Sequence, residues 1–117
     1  MPKLLLLTIC LIAIITPAFL IYKTQTSDRY KPGLWKEADT AVNQAKHFYR
    51  IKKEAGENFE SGPCLSNNLM PNWVVDLVHQ PRASVDNLLE NQCPSFYSGK
   101  SQHFVEMDLE GNIIRVK

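Results

Sequence analysis

The longest uninterrupted apolar stretch of the chain is LLLLTICLIAIITPAFLIY, residues 4–22, which carries no charge and is bounded by Lys3 and Lys23. Nineteen residues at about 1.5 Å per helical residue extend roughly 28 Å, close to the hydrocarbon thickness of a bilayer. The pattern predicts a signal anchor, a transmembrane helix over residues 1–22. Thr16 and Ala18 supply a small-x-small pair, so the alternative is a cleaved signal with secretion after cleavage near Ala18. The polar stretch KTQTSDRYKPG, 23–33, has no periodicity and ends in Pro-Gly, which reads as a tether.

The pattern then changes. Trp35, Ala38, Ala41, Val42, Ala45, Phe48, Tyr49 and Ala55 recur at three- and four-residue intervals, with lysines on the other face. That spacing predicts one amphipathic helix of about 20 residues. Glu37 and Asp39 open it and Lys52 and Lys53 close it, as the helix dipole favours, and Gly56 supplies the stop.

Further on, NWVVDLVH (72–79) is rich in valine and fenced by Pro71 and Pro81, the signature of a buried strand. RASVDNLLENQCPSFYSGKSQ (82–102) reads as a long irregular connection with one helical turn after Ser84. HFVEMDLEGNIIRVK (103–117) reads as two strands around a Gly111-Asn112 turn. A two-residue loop would oppose Leu109 to Ile114 and Met107 to Val116 on one face. On the other it would oppose Asp108 to Arg115 and Glu106 to Lys117. The predicted class is α+β. An N-terminal transmembrane helix is followed by one long amphipathic helix, packed on a small antiparallel sheet that ends in a C-terminal hairpin. The domain proper would occupy 34–117.

Three cysteines change the picture more than the overall composition does. Cys10 lies in the apolar span, in a poor lipobox with Ile before the cysteine; Cys64 and Cys93 lie in turn-like settings, SGPC and NQCP. Neither has a CxxC or CxxH neighbour, so a disulfide between Cys64 and Cys93 is predicted. The bridge closes a loop of 30 residues, counted from 64 through 93, worth about 3–4 kcal/mol on the chain-entropy model. A domain this small has a thin core, so that increment decides whether it folds. A disulfide also places residues 24–117 in an oxidising, extracytoplasmic compartment. Lysine and arginine counts around the span lean mildly the other way, with Lys23, Arg29 and Lys31 following it.

Formal net charge is only +1, and no nucleic-acid partner is expected. Charge is unevenly placed. Residues 23–53 hold eight Lys/Arg and three acids, whereas 54–117 hold four and nine. A basic tether and helix suit an anionic membrane surface.

Candidate chemistry is sparse. SGKS (98–101) ends like a phosphate-binding loop, but Pro94 stands where that motif needs glycine. GxSxG, HExxH and EF-hand patterns are absent, and no cofactor is implied. His47 lies on the polar helix face. If 73–79 and 103–109 pair antiparallel, Trp73 meets Leu109, Val75 meets Met107, Leu77 meets Val105, and His79 meets His103. Asp76 then opposes Glu106. Two histidines with nearby carboxylates could bind zinc or exchange protons, although three-residue spacing puts Asp76 and His79 on opposite strand faces. Asp76 among valines also needs a partner, with Arg82 or backbone amides as candidates.

The run GPCLS…NWVVDLVHQPR…ENQC…HFVEMDLEGNIIRV resembles stretches of small uncharacterised prokaryotic proteins with a hydrophobic N-terminus. The resemblance covers residues 62–116, about half the chain, and implies no activity. The expected function is therefore that of a membrane-anchored extracytoplasmic binding domain. Its partners would be the membrane, through residues 4–22, and another envelope protein. A pilin-like assembly subunit is the alternative, though the Gly-Phe processing site is missing and Pro32-Gly33 would break a continuous helix. A small hydrolase or metal-binding protein built on His79 and His103 is the third reading. No enzymatic activity is predicted.

Overall fold

The computed structural model describes residues 30–117 together with Lys3 and Ile9. The predicted anchor (Lys3 and Ile9 apart) and the tether up to residue 29 lie outside the described residues. Among those described, no helix is long and apolar enough to cross a membrane.

The predicted amphipathic helix is α1, Lys36–Glu54, with Glu37 and Asp39 in its first turn and Lys52 and Lys53 in its last. Its inner stripe of Ala38, Ala41, Val42, Ala45 and Tyr49 is buried; three alanines let the helix axis lie close to the sheet. Gly56 ends it at φ +81°, with its N–H on the Lys53 carbonyl. Upstream, Tyr30 and Gly33 both hydrogen-bond the Asp39 carboxylate, so the end of the predicted tether is already tied to the helix. The Asp39 bond and loss of hydration follow the same direction on Tyr30: burial first, then Asp39, push its phenol up to about 12.

Four strands follow: β1 Cys64–Met70, β2 Trp73–Leu77, β3 His103–Met107 and β4 Ile113–Val116. They lie side by side in chain order. β1 was not expected from sequence; it joins β2 through a two-residue Pro71-Asn72 turn, with Met70 opposite Trp73. Pro71 fixes the first turn position and Asn72, at φ +70°, tolerates the second.

The antiparallel sheet expectation needs correction. β1/β2 and β3/β4 are antiparallel, but β2 and β3 run parallel, with Trp73 beside His103, Val75 beside Val105 and Leu77 beside Met107. A parallel pair needs a crossover of a dozen or more residues. Residues 78–102 provide it, with short 3₁₀ turns at Ser84–Asn87 and Leu89–Asn91 and a one-turn helix α2, Pro94–Tyr97. The predicted helical turn after Ser84 is the first of these.

The sheet is consequently covered on both faces. Trp73, Val75, Leu77, Val105 and Met107 face α1 and form the main core with Leu65 and Phe59; each such side chain contributes about 1.5–3 kcal/mol on burial. Two hydrogen bonds fix the helix at either end, one to the sheet and one to the hairpin loop. Trp73 Nε1–H donates to Glu37 at 2.8 Å, and the Tyr49 hydroxyl donates to the Leu109 carbonyl at 2.7 Å. On the other face Val74 and Phe104 pack against Cys93. The predicted disulfide is present: Cys64 and Cys93 are bonded with Cα atoms 4.9 Å apart, stapling the crossover to β1.

The C-terminal hairpin forms with a different register. Val105 faces Val116, Glu106 faces Arg115, and Met107 faces Ile113 across an irregularity. The cause is Asp108, whose carboxylate accepts the N–H groups of Glu110 and Asn112 and the Asn112 side-chain amide at 2.8–3.0 Å. This enlarges the loop to 108–112. Gly111, at φ +91°, lies under the Tyr49 ring, where an added Cβ would come within 2.6 Å of it. The shift exchanges partners, so that Arg115 meets Glu106 instead of Asp108, and the irregularity brings Ile113 rather than the expected Ile114 to the core face, opposite Met107.

Candidate functional site

The parallel pairing separates the two histidines. His103 begins β3 beside Trp73, whereas His79 follows the other end of β2. Six residues of strand between positions 73 and 79 correspond to roughly 20 Å. The antiparallel register that placed His79 opposite His103 is therefore wrong, and with it the shared-ligand and catalytic reading of the pair. Among the described residues no three histidine, cysteine or acidic side chains are placed to hold a metal.

Each histidine has a local role. His103 stacks on Trp73 with ring centroids 4.8 Å apart and meets Trp35 edge-on at 5.2 Å. Its Nδ1 is buried without a hydrogen-bond partner among the described residues. His79 Nδ1–H donates to Asp86 Oδ1 at 2.8 Å. Asp86 is 1 % exposed, and its Oδ2 also accepts the N–H groups of His79 and Ala83 at 3.1 and 2.8 Å. Burial pushes the Asp86 carboxyl up, but these hydrogen bonds outweigh it and hold the group below its ordinary value. With three donors on two oxygens, Asp86 organises the turn that leaves β2. Gly62 packs directly on it: an added Cβ would lie 2.4 Å from Asp86 Oδ1.

Asp76 and Glu106 are neighbours on the crossover side of the sheet, as the antiparallel scheme also had them. The coincidence has a simple origin. An antiparallel pairing whose partners sum to 182 and a parallel pairing offset by 30 share one pair, 76 with 106.

These two acids line a cleft of about 130 Å³ between the sheet and the crossover. Val74, Phe104, Phe96 and Cys93 form its apolar wall, with Arg82, Gln92 and Arg115 completing the lining. Phe96 meets Phe104 edge-on at 4.9 Å, and the Arg115 guanidinium lies 4.9 Å from the Phe104 ring centre. Arg82 Nη1 and Arg115 Nη2 both reach Glu106 Oε2 at 3.5 Å. Their side chains are 44 % and 46 % exposed, against 11 % for Glu106, so the guanidinium groups stand at the mouth.

Arg82 does not hydrogen-bond Asp76, the partner expected from sequence. Asp76 Oδ1 is buried and accepts no hydrogen bond among the described residues. Loss of hydration first, and then the adjacent Glu106 carboxylate, push its carboxyl up to about 7; the nearby Arg82 charge opposes them only in part. A carboxyl so poised can accept from a donor or, protonated, donate to an acceptor.

No family model matches the chain, nor does any curated protein or solved structure. The cleft must be interpreted from its own groups. Asp76 was visible in sequence as a carboxylate among valines. Arg115, Phe96 and Phe104 were not, because their convergence depends on the hairpin shift and on the crossover. The length of the segment between Leu77 and His103 was the signal that could have disclosed it.

Proposed function

We infer that this chain is a membrane-tethered extracytoplasmic binding domain whose ligand site is the cleft formed by Asp76, Glu106, Arg82 and Arg115. The carrying observation is Asp76 Oδ1, which is buried beside that cleft without a donor. An unpaired buried polar atom costs about 1–3 kcal/mol, a heavy charge on a domain of this size. A ligand that supplies the missing donor recovers it on binding.

The uncharged segment at 4–22 supports the anchor, and the Cys64–Cys93 bridge supports an oxidising compartment. In this reading an envelope protein is the neighbour of the tethered domain. Carbonate-resistant membrane association, with the domain degraded by protease added outside, is the expected behaviour of tagged protein. Mature protein in the medium beginning near Phe19 would overturn the anchor. Native purification after crosslinking would identify the envelope neighbour. Chemical-shift mapping of the full chain in micelles tests the cleft itself: ligands should perturb residues 74, 76, 104 and 106 first.

A further inference from the structure

Three properties of the cleft restrict what can enter it. Size is the first. At about 130 Å³ it is close to an apolar cavity of about 150 Å³ that accepts benzene, so its occupant has about six non-hydrogen atoms.

Charge is the second. Two carboxyl groups and two guanidinium groups line one small space. A lone cation entering it would satisfy Asp76 but would face both arginines. A lone anion would satisfy the arginines but would lie against Glu106 and leave Asp76 Oδ1 without a donor. Only a molecule carrying both signs meets both sets of groups.

Arrangement is the third. The acceptor without a donor, Asp76 Oδ1, is buried, while the arginines are nearly half exposed. Each guanidinium reaches Glu106 only at 3.5 Å, and Arg82 Nε is engaged by Asn87 at 3.0 Å. The remaining N–H groups at the mouth are free to take a carboxylate, for which the guanidinium fork is well shaped.

We propose that the cleft binds a small zwitterion of the free amino-acid class, with its ammonium on Asp76 and its carboxylate on Arg82 and Arg115. The apolar wall of Val74, Phe96, Phe104 and the disulfide favours a small apolar side chain, with alanine the natural size. This assignment rests on the cleft being a ligand site, and the test separates the two claims.

The experiment is titration of isotopically labelled full-length protein in micelles with L-alanine, alaninamide, N-acetylalanine, methylamine and acetate. Alanine should perturb residues 74, 76, 104 and 106, and bind at least tenfold more tightly than alaninamide or N-acetylalanine, each of which lacks one charge. Asp76→Asn and Arg115→Gln should each weaken alanine at least tenfold, with the spectrum of the unliganded variant reporting that it is folded. Equal binding of alaninamide or N-acetylalanine would overturn the zwitterion and leave the cleft as a site for one charge. Cleft shifts from methylamine or acetate without alanine binding would do the same. Silence from all five probes would overturn both claims.

Discussion

Asp76→Asn should stabilise the folded chain at neutral and alkaline pH while weakening its ligand. The wild-type carboxyl titrates near 7 in the folded state, against an ordinary value of 3.8. Between those values the folded state holds a proton that the unfolded state has released. Stability therefore falls as pH rises from about 4 to about 7, and the loss is complete above that window. About three units at roughly 1.4 kcal/mol each give an upper figure of about 4 kcal/mol. The charges facing Asp76 are already contained in that figure: Glu106 and the more distant Asp86 repel the ionised carboxyl and enlarge it, while Arg82 attracts the carboxyl and lowers it. Residual solvation of the side chain, which is only partly buried, brings the expected difference to about 2–3 kcal/mol. Asparagine has no carboxyl to ionise, and its amide can donate toward Glu106. The assay is thermal unfolding of both proteins from pH 4.5 to 8.5, followed by the fluorescence of the buried Trp73 and of Trp35, which packs against it. The two curves should converge at the acid end and separate steadily toward pH 8. Parallel curves across the range, or a carbon-shift titration placing Asp76 near 4, would refute the reasoning.

Replacing both Cys64 and Cys93 by alanine should lower stability by about 3–4 kcal/mol, and a loss below 1 kcal/mol in denaturation would contradict the staple. Asp86→Ala leaves two amides and the His79 ring without their acceptor and should cost about 2–4 kcal/mol. Because the Asp86 carboxyl is held below 3.8, the wild-type advantage from its charge is present above about pH 4 and shrinks as pH falls through the lower, folded value. Gly62→Ala should destabilise more than Gly99→Ala in the same melts. Both glycines have positive φ, but only at Gly62 would the new Cβ strike Asp86; at Gly99 nothing lies within 4 Å. Tyr49→Phe removes the bond to Leu109 and should cost about 1 kcal/mol without altering the cleft spectrum.

What could be read from sequence follows from which physical signals are local. The helix was legible because Ala38, Ala41, Val42, Ala45 and Tyr49 repeat at its period, and Gly56 stops it. The inward faces of β2 and β3 were legible because alternation fixes which residues share a side. Alternation is silent about direction: Trp73, Val75 and Leu77 match Val105 and Met107 equally well in either sense. The 25 residues of 78–102 decided it, since antiparallel neighbours need only a short turn. β1 was missed because CLSNNLM lacks β-branched residues, and its evidence was the Pro71-Asn72 turn. The hairpin shift came from Asp108 collecting three donors, a local preference of Asx residues that overrode the two-residue turn expected at Gly111-Asn112.

The same topology that misled the histidine pairing creates the candidate site. A crossover must pass over one face of the sheet, and here it is short of regular structure, so it covers Val74 and Phe104 but leaves the Asp76–Glu106 end open. The disulfide ties the crossover down there: Cys93 is part of the cleft wall, and its partner Cys64 lies beside Asp76 in the strand register. One bond thus both staples the domain and forms part of the cleft wall. The expected extracytoplasmic compartment and the proposed ligand site depend on the same pair of cysteines, because reduction would release the wall against which a ligand is held.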